Sequence, residues 1–154
     1  MTRTSGRRSH THVAQLVAAG CLVLRDGPRG REVLLVHARG ATFRQPRFGI
    51  PKGLVESRES LAEAAQRETE EETGLRVRIR GDLGSVRQKS GKLVHGFLAS
   101  VAPESEAAID ERGRCRHGDG ENDVCGFYPL DQAREMMIEA QRVFLDRLPE
   151  LTAE

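Results

Sequence analysis

The sequence predicts an α+β domain, an α/β/α sandwich around a mixed sheet, and three observations carry that prediction. Short apolar runs of strand length recur along the chain, two stretches have helical period, and turn residues separate them. The 154 residues suit one domain with a substantial core. A hydrophobic content of 38% with 31% charged residues describes a globular chain rather than a disordered one.

MTRTSGRRSHTH, residues 1–12, carries Arg3, Arg7 and Arg8 and almost nothing apolar, so it reads as a basic flexible tail ahead of a domain spanning 13–150. VAQLVAAGCLVL, 13–24, is expected as a buried strand; it is too short for a membrane span and contains Gln15. DGPRG, 26–30, has turn chemistry and REVLLVH, 31–37, follows as a second strand, which together predict a hairpin. ARGATFRQPR, 38–47, is a polar and basic loop. FGIP, 48–51, is extended because Pro51 biases Ile50 away from the helical region.

Residues 60–73 are the clearest helix. Ser57 and Ser60 are both cap candidates, and only Ser60 has an acid three residues later, Glu63, to complete a capping box. Leu61, Ala64 and Ala65 form an apolar stripe, and Gly74 is a good C-terminal stop. LRVRIR, 75–80, alternates with period two and predicts a half-buried strand, and KLVHGFLASV, 92–101, predicts another after the turn at Ser90-Gly91. PESEAAIDERGRCRHGDG, 103–120, reads as a long surface loop. DVCGFYPL, 123–130, resumes extended structure, and a C-terminal helix is expected from Leu130 to Asp146.

A net charge of +1 gives no global signature for nucleic acid or a membrane surface, and neither is expected as a partner. The tail lacks the apolar core of a signal peptide, so the expected location is cytoplasmic. Cys21, Cys115 and Cys125 are odd in number and widely spaced, which implies no disulfide framework. Cys115 and His117 form a CxH pair without the partner motif that a structural zinc needs.

Glu68, Glu70, Glu71 and Glu72 crowd the end of the central helix, where the macrodipole disfavours negative charge. Positions 68, 71, 72 and 75 fall within one arc, and Glu68 and Glu72 extend the stripe facing the core. At least two carboxylates therefore point toward the protein body, where unpaired charges are costly and raise one another's pKa values. A divalent cation such as Mg²⁺ or Mn²⁺, which prefers hard oxygen ligands, removes both problems. The cluster alone is equally compatible with a solvated acidic helix.

The wider spacing is more specific. Gly53, five residues, Glu59, seven residues, Arg67-Glu68, then Glu71-Glu72, Thr73 and Gly74-Leu75 resemble the signature box of the Nudix hydrolases. Thr69 stands where that family has an aliphatic residue. The resemblance implies the Nudix fold with its catalytic helix and C-terminal helix, and an Mg²⁺- or Mn²⁺-dependent enzyme cleaving a pyrophosphate linkage in a nucleoside di-, tri- or polyphosphate. It makes Glu68, Glu71 and Glu72 metal ligands, together with a backbone carbonyl near Lys52-Gly53. Arg67 would orient carboxylates, and Glu59 would pair with it or support the metal site. From the distal loop, Glu121 is the candidate general base or extra ligand, with Asp119 and Asp123 as rivals.

FGIPKG, 48–53, is similar to the W-x-x-P-K-G entry of Nudix enzymes acting on diadenosine and inositol polyphosphates, with Phe48 in place of Trp. Lys52 would then hold additional phosphates. Arg44 and Arg47, with Lys89 and Lys92 from a later loop, would suit the same chain. The C-terminal half resembles a bacterial group of nucleoside triphosphate pyrophosphohydrolases. His95 is expected as a packed core histidine, with a substrate contact as the other reading. The implied partner is a small phosphorylated substrate, and the implied assembly a homodimer. Other readings are a non-catalytic Nudix-fold nucleotide-binding module, a diphosphoinositol polyphosphate phosphohydrolase, and an isopentenyl diphosphate isomerase, which would require a reactive cysteine.

Overall fold

A computed structural model describes residues 16–41, 47–115 and 120–149. The expected tail, Arg44, His117 and Asp119 lie outside the described residues. The strands are β1 (Val17–Gly27), β2 (Gly30–Ala38), β3 (Phe48–Gly49), β4 (Lys52–Leu54), β5 (Val77–Arg87), β6 (Leu93–Val101) and β7 (Asn122–Pro129). The helices are α1 (Leu61–Thr73), α2 (Leu130–Met136) and α3 (Arg142–Asp146), with 3₁₀ turns at Pro103–Ala108 and Glu139–Gln141.

β1 belongs to two arms of one mixed sheet. Its first half runs parallel to β6 from Val17↔Leu93 to Val23↔Ala99, and antiparallel to β4 on its other edge at Ala18↔Leu54 to Gly20↔Lys52. From Leu24↔Val33 onward it pairs instead with β2, closing the expected hairpin through Pro28-Arg29. β2 then carries β3 and β7, and β5 forms the outer strand beside β6. The edge of β1 therefore changes partner between Gly20 and Leu24, and the two arms diverge there.

Strand alternation along β1 builds the two core layers. Ala19, Cys21 and Val23 face α1 and pack with Ala64, Ala65, Leu75, Phe97 and Phe127. Ala18 and Leu22 face the opposite side, with Leu35, Ile50, Val94, Met137 and Phe144. Helices thus cover both faces, which is the expected sandwich.

Three elements differ from their sequence-based expectation. β5 runs on to Arg87 rather than stopping near 80, because register shifts between Ile79 and Gly81 and between Asp82 and Ser85 absorb Gly81 and Gly84. The 103–120 stretch is partly ordered by its 3₁₀ turn and by antiparallel bridges Ile109↔Cys115 and Arg114↔Gly126. The C-terminal helix is broken at Met137, whose backbone is extended. There Met137 bridges Phe48, and the Ile138 N–H donates to the Phe48 carbonyl at 2.8 Å. Buried Gln141 fixes the break, since its amide oxygen accepts from the Ile50 N–H at 2.9 Å while its NH₂ donates to Gln88 at 2.8 Å.

Thr69, the departure from the aliphatic pattern, is fully buried. Its hydroxyl has no hydrogen-bond partner of good geometry and lies beside the Cys21 thiol, which burial pushes up to about 11. Thr69→Val should therefore raise stability by about 1 kcal/mol, by removing a buried hydroxyl without changing volume. Phe144→Ala, at a fully buried ring of α3, should cost about 3–5 kcal/mol. Urea denaturation of both variants measures these changes.

Candidate active site

The caps of α1 set the angular position of its acidic residues. Ser60 accepts from the Glu63 N–H at 3.0 Å and Glu63 accepts from the Ser60 N–H at 2.9 Å, the reciprocal box that Ser57 could not form. At the other end Gly74 has φ 76° and donates to the Glu70 carbonyl at 2.8 Å. The Thr73 hydroxyl donates to the Thr69 carbonyl at 2.6 Å and accepts from the Leu75 N–H at 3.1 Å. Thr73-Gly74 thus satisfies backbone groups that a helix end leaves open.

With the helix so fixed, Glu68 and Glu72 turn inward and Glu71 turns outward. The Glu68 side chain is 15% exposed and that of Glu71 is 52% exposed, whereas Glu72 as a residue is 8% exposed. Glu70, on the outer surface, pairs with Arg76 at 3.4 Å.

Arg67 gathers this region. Its Nε and Nη2 donate to the two oxygens of Glu59 at 2.5 and 3.0 Å. Nη1 donates to Glu68 at 2.8 Å and stands 3.4 Å from both oxygens of Glu71, and Nη2 also reaches the Leu54 carbonyl at 3.2 Å. Glu59 is aimed by a tight turn in which its Oε1 accepts from the Glu56 N–H at 3.0 Å. Gly53 completes the arrangement. A Cβ at that position would occupy the space of the Glu68 carboxylate, so only glycine lets this side chain lie against the β4 backbone.

The electrostatics follow from those contacts. Hydrogen bonds from Arg67 and then from the Glu56 backbone hold the Glu59 carboxyl down to about 2. Hydrogen bonds to Glu59 first, and then to Glu68, raise the Arg67 guanidinium above its ordinary value, against the opposing effect of burial. Burial pushes Glu68 up; Arg67 opposes this, and the charges of Glu71 and Glu121 add to it. Burial and then the charge of Lys92 push Lys52 down, while Glu72 and Glu68 act in the other direction. The structure therefore brings Lys52 and Glu121 within electrostatic reach of the glutamates, and Lys92 within reach of Lys52.

The other candidates fall elsewhere. Arg47 and Lys89 are exposed, and no hydrogen bond or ion pair among the described residues ties Lys89 to the acidic cluster. Phe48 packs between His37, at 4.9 Å, and Tyr128, at 5.8 Å between ring centroids. Asp123 is engaged by the fully buried His37, whose Nδ1 lies 2.7 Å from its carboxylate. His95 is not a core residue. Its ring lies between Asp82 at 2.6 Å and Ser85 at 2.9 Å, because the bulges of β5 turn both side chains toward it. Asn122, which sequence reasoning missed, places its amide 3.5 Å from Glu72. Only the pairing of β7 with β2 brings that side chain to α1, so no local motif announces it.

Among the described residues, no three His, Cys, Asp or Glu side chains form a ready ligand set. Arg67 draws Glu68 and Glu71 toward itself, while Glu72 lies toward Asn122. The donor chemistry still fits a hard divalent cation. Glu71 and Glu72 lie one turn from Glu68, Glu68 fills a cradle that a Cβ would block, and burial and neighbouring negative charge disfavour its ionised form against the pull of Arg67. A cation would offset both.

Comparison with known proteins agrees with this geometry. The NUDIX domain family matches residues 14–148. A MutT NUDIX hydrolase from Burkholderia pseudomallei is 23% identical with a TM-score of 0.65, covering 88% of this chain and 98% of its own. An Ap4A hydrolase from C. elegans, in a binary complex, is 23% identical with a TM-score of 0.64, over 86% and 93% of the two chains. A NUDIX hydrolase from Nitrosomonas europaea is 18% identical with a TM-score of 0.64, over 86% and 87%. At these identities the three structures show a shared fold.

Two outcomes are expected from the Arg67 cluster. Gly53→Ala should displace Glu68 and weaken divalent-cation binding at least tenfold in calorimetric titration, with the circular dichroism spectrum unchanged. Glu59 has a folded pKa below its ordinary 4.5, so its stabilisation is complete above that value and is lost as pH falls through about 2. The stability difference between the wild type and Glu59→Gln should therefore be constant near neutrality and shrink only below about pH 4.5, read from urea titrations at several pH values.

Proposed function

The chain belongs to the Nudix hydrolase family, which acts on phosphoanhydride bonds, and from that premise we propose a divalent-metal-dependent pyrophosphohydrolase of nucleoside polyphosphates. The observation that carries this reading is the Glu68 carboxylate seated on Gly53 and held by Arg67, with Glu71 and Glu72 on the same helix end. A dinucleoside polyphosphate is the favoured substrate within the class. Lys52 beside the glutamates supports it by offering a compact positive charge to a phosphate chain, as does the shared fold of the C. elegans Ap4A hydrolase.

Glu68, Glu71 and Glu72, with a backbone carbonyl of the Lys52-Gly53 segment, would hold Mg²⁺ or Mn²⁺. When bound, the cation neutralises phosphate charge and lowers the pKa of a coordinated water. The chain's own groups perform the remaining work. Arg67 fixes the Glu68 carboxylate through a charge-assisted bond and leaves its other lone pairs available. Lys52 draws in the phosphates. Glu121 accepts a proton from the attacking water, whose oxygen bonds to phosphorus as the bridging oxygen departs with the leaving phosphate. Catalysis of this kind consists mainly of positioning and charge stabilisation. A non-catalytic binding module would have no need of the full acidic set, and all of its members are present here.

A panel of nucleoside triphosphates, sugar nucleotides, diadenosine polyphosphates and diphosphoinositol polyphosphates, incubated with Mg²⁺ and analysed by mass spectrometry, identifies the bond cleaved. Turnover of none of them would overturn the enzymatic reading. Because Glu71 is the exposed member of the set, Glu71→Gln should lower kcat by roughly 100-fold or more while leaving the unfolding midpoint unchanged. Lys52→Ala should weaken hydrolysis of longer polyphosphates more than that of diphosphates. Equal losses across the panel would reduce Lys52 to a structural role.

A further inference from the structure

Two of the three cysteines meet across a short ladder that sequence spacing does not announce. Arg114 bridges Gly126 antiparallel, and two hydrogen bonds flank that bridge. The Phe127 N–H donates to the Gly113 carbonyl at 2.8 Å, and the Cys115 N–H donates to the Cys125 carbonyl at 3.1 Å. The register therefore sets Cys115 directly opposite Cys125. Residues so paired project to the same face, with Cβ atoms about 4.5–5.5 Å apart. Both side chains pack against the core layer beneath α1, and both residues are partly exposed.

The ladder is close here. Two pairs along, on the other side of the Arg114–Gly126 bridge, a Cβ on Gly113 would stand 3.5 Å from that of Phe127. A disulfide needs Cβ atoms about 3.5–4.5 Å apart and Cα atoms about 4.4–6.8 Å apart, so a small approach of the two segments suffices. Residues 109–115 can make that approach because isolated bridges, not a long strand, hold them. Cys21 offers no competition, being fully buried in β1.

We propose that Cys115 and Cys125 are a reversible dithiol–disulfide pair, oxidised by a low-molecular-weight disulfide such as glutathione disulfide. One protein thiolate attacks a sulfur of the oxidant, forming a mixed disulfide and releasing one glutathione thiolate. The second protein thiolate attacks the protein-side sulfur of that mixed disulfide, forming the Cys115–Cys125 bond and expelling the second glutathione. Two protein thiols lose two protons and two electrons, and the oxidant becomes two thiols. Drawing the Cβ atoms together strains the ladder, and a strained bond is the more easily reduced kind, suited to switching. The bond ties the 109–115 segment to β7 a few residues from Glu121 and from Asn122, whose amide approaches Glu72. This modification is independent of the hydrolase reading.

The full chain, equilibrated in graded ratios of reduced and oxidised glutathione, quenched with an alkylating reagent and mapped by mass spectrometry, tests the pairing. The expected product has lost two hydrogens, links Cys115 to Cys125, retains Cys21 as a thiol alkylated only after unfolding, and reverts with dithiothreitol. Cys115→Ser and Cys125→Ser should each stop at a glutathione adduct on the remaining cysteine of the pair. Simultaneous glutathione adducts on Cys115 and Cys125, a bond to Cys21, or persistence of both thiols at the most oxidising ratio would overturn the proposal.

Discussion

The guanidinium of Arg67 donates to both oxygens of Glu59, to Glu68 and to the Leu54 carbonyl, and in doing so joins α1, the turn that precedes it and β4. Two of these elements are short: β4 has three residues, and the turn before α1 is closed by a local hydrogen bond from the Glu56 N–H to Glu59. A planar donor with five N–H groups can satisfy all of them at once, which a lysine cannot. The absence of a side chain at Gly53 is the complementary requirement, since it lets the Glu68 carboxylate approach the β4 backbone. Charge and steric space are thus specified together at positions far apart in the chain.

The same cluster accounts for the acidic crowding at the end of α1. Four glutamates in five positions oppose the helix dipole, and α1 has no basic residue in its last turn. Several local devices offset that cost: Thr73 and Gly74 satisfy the terminal backbone, Arg76 pairs with Glu70, and Arg67 engages Glu68. What they leave is repulsion among Glu68, Glu71 and Glu121, with Lys52 held near them despite the burial that disfavours its charge. Carboxylates and a lysine perturbed in this way cluster at functional sites.

The sheet explains how distant segments reach this centre. Because the edge of β1 passes from β4 to β2 between Gly20 and Leu24, the two arms part beside Lys52 and Gly53. β7, paired along the far edge of β2, brings Asn122 to α1 and leaves Glu121 at its entrance. Fixed backbone pairing, rather than a mobile loop, carries those groups into range. The backbone pairing of β7 also sets Cys115 opposite Cys125, so Asn122 and one cysteine of the pair lie on the same strand.

The sequence by itself determined the features that depend on neighbours along the chain. The Ser60–Glu63 box, the Gly74 stop, the inward turn of Glu68 and Glu72 and the hairpin of β1 with β2 all follow from helical or strand period and turn chemistry acting over a few residues. Tertiary structure decided what depends on pairing between remote segments. β5 passed through its glycines because β6 was there to pair with it, and the C-terminal helix broke because Met137 and Ile138 gained partners at Phe48. His95 left the core for Asp82 and Ser85, Asp123 went to His37, and Asn122 found Glu72 for that reason. Periodicity records which face of an element is apolar, but not which remote strand will satisfy its backbone, and that second choice placed the polar side chains.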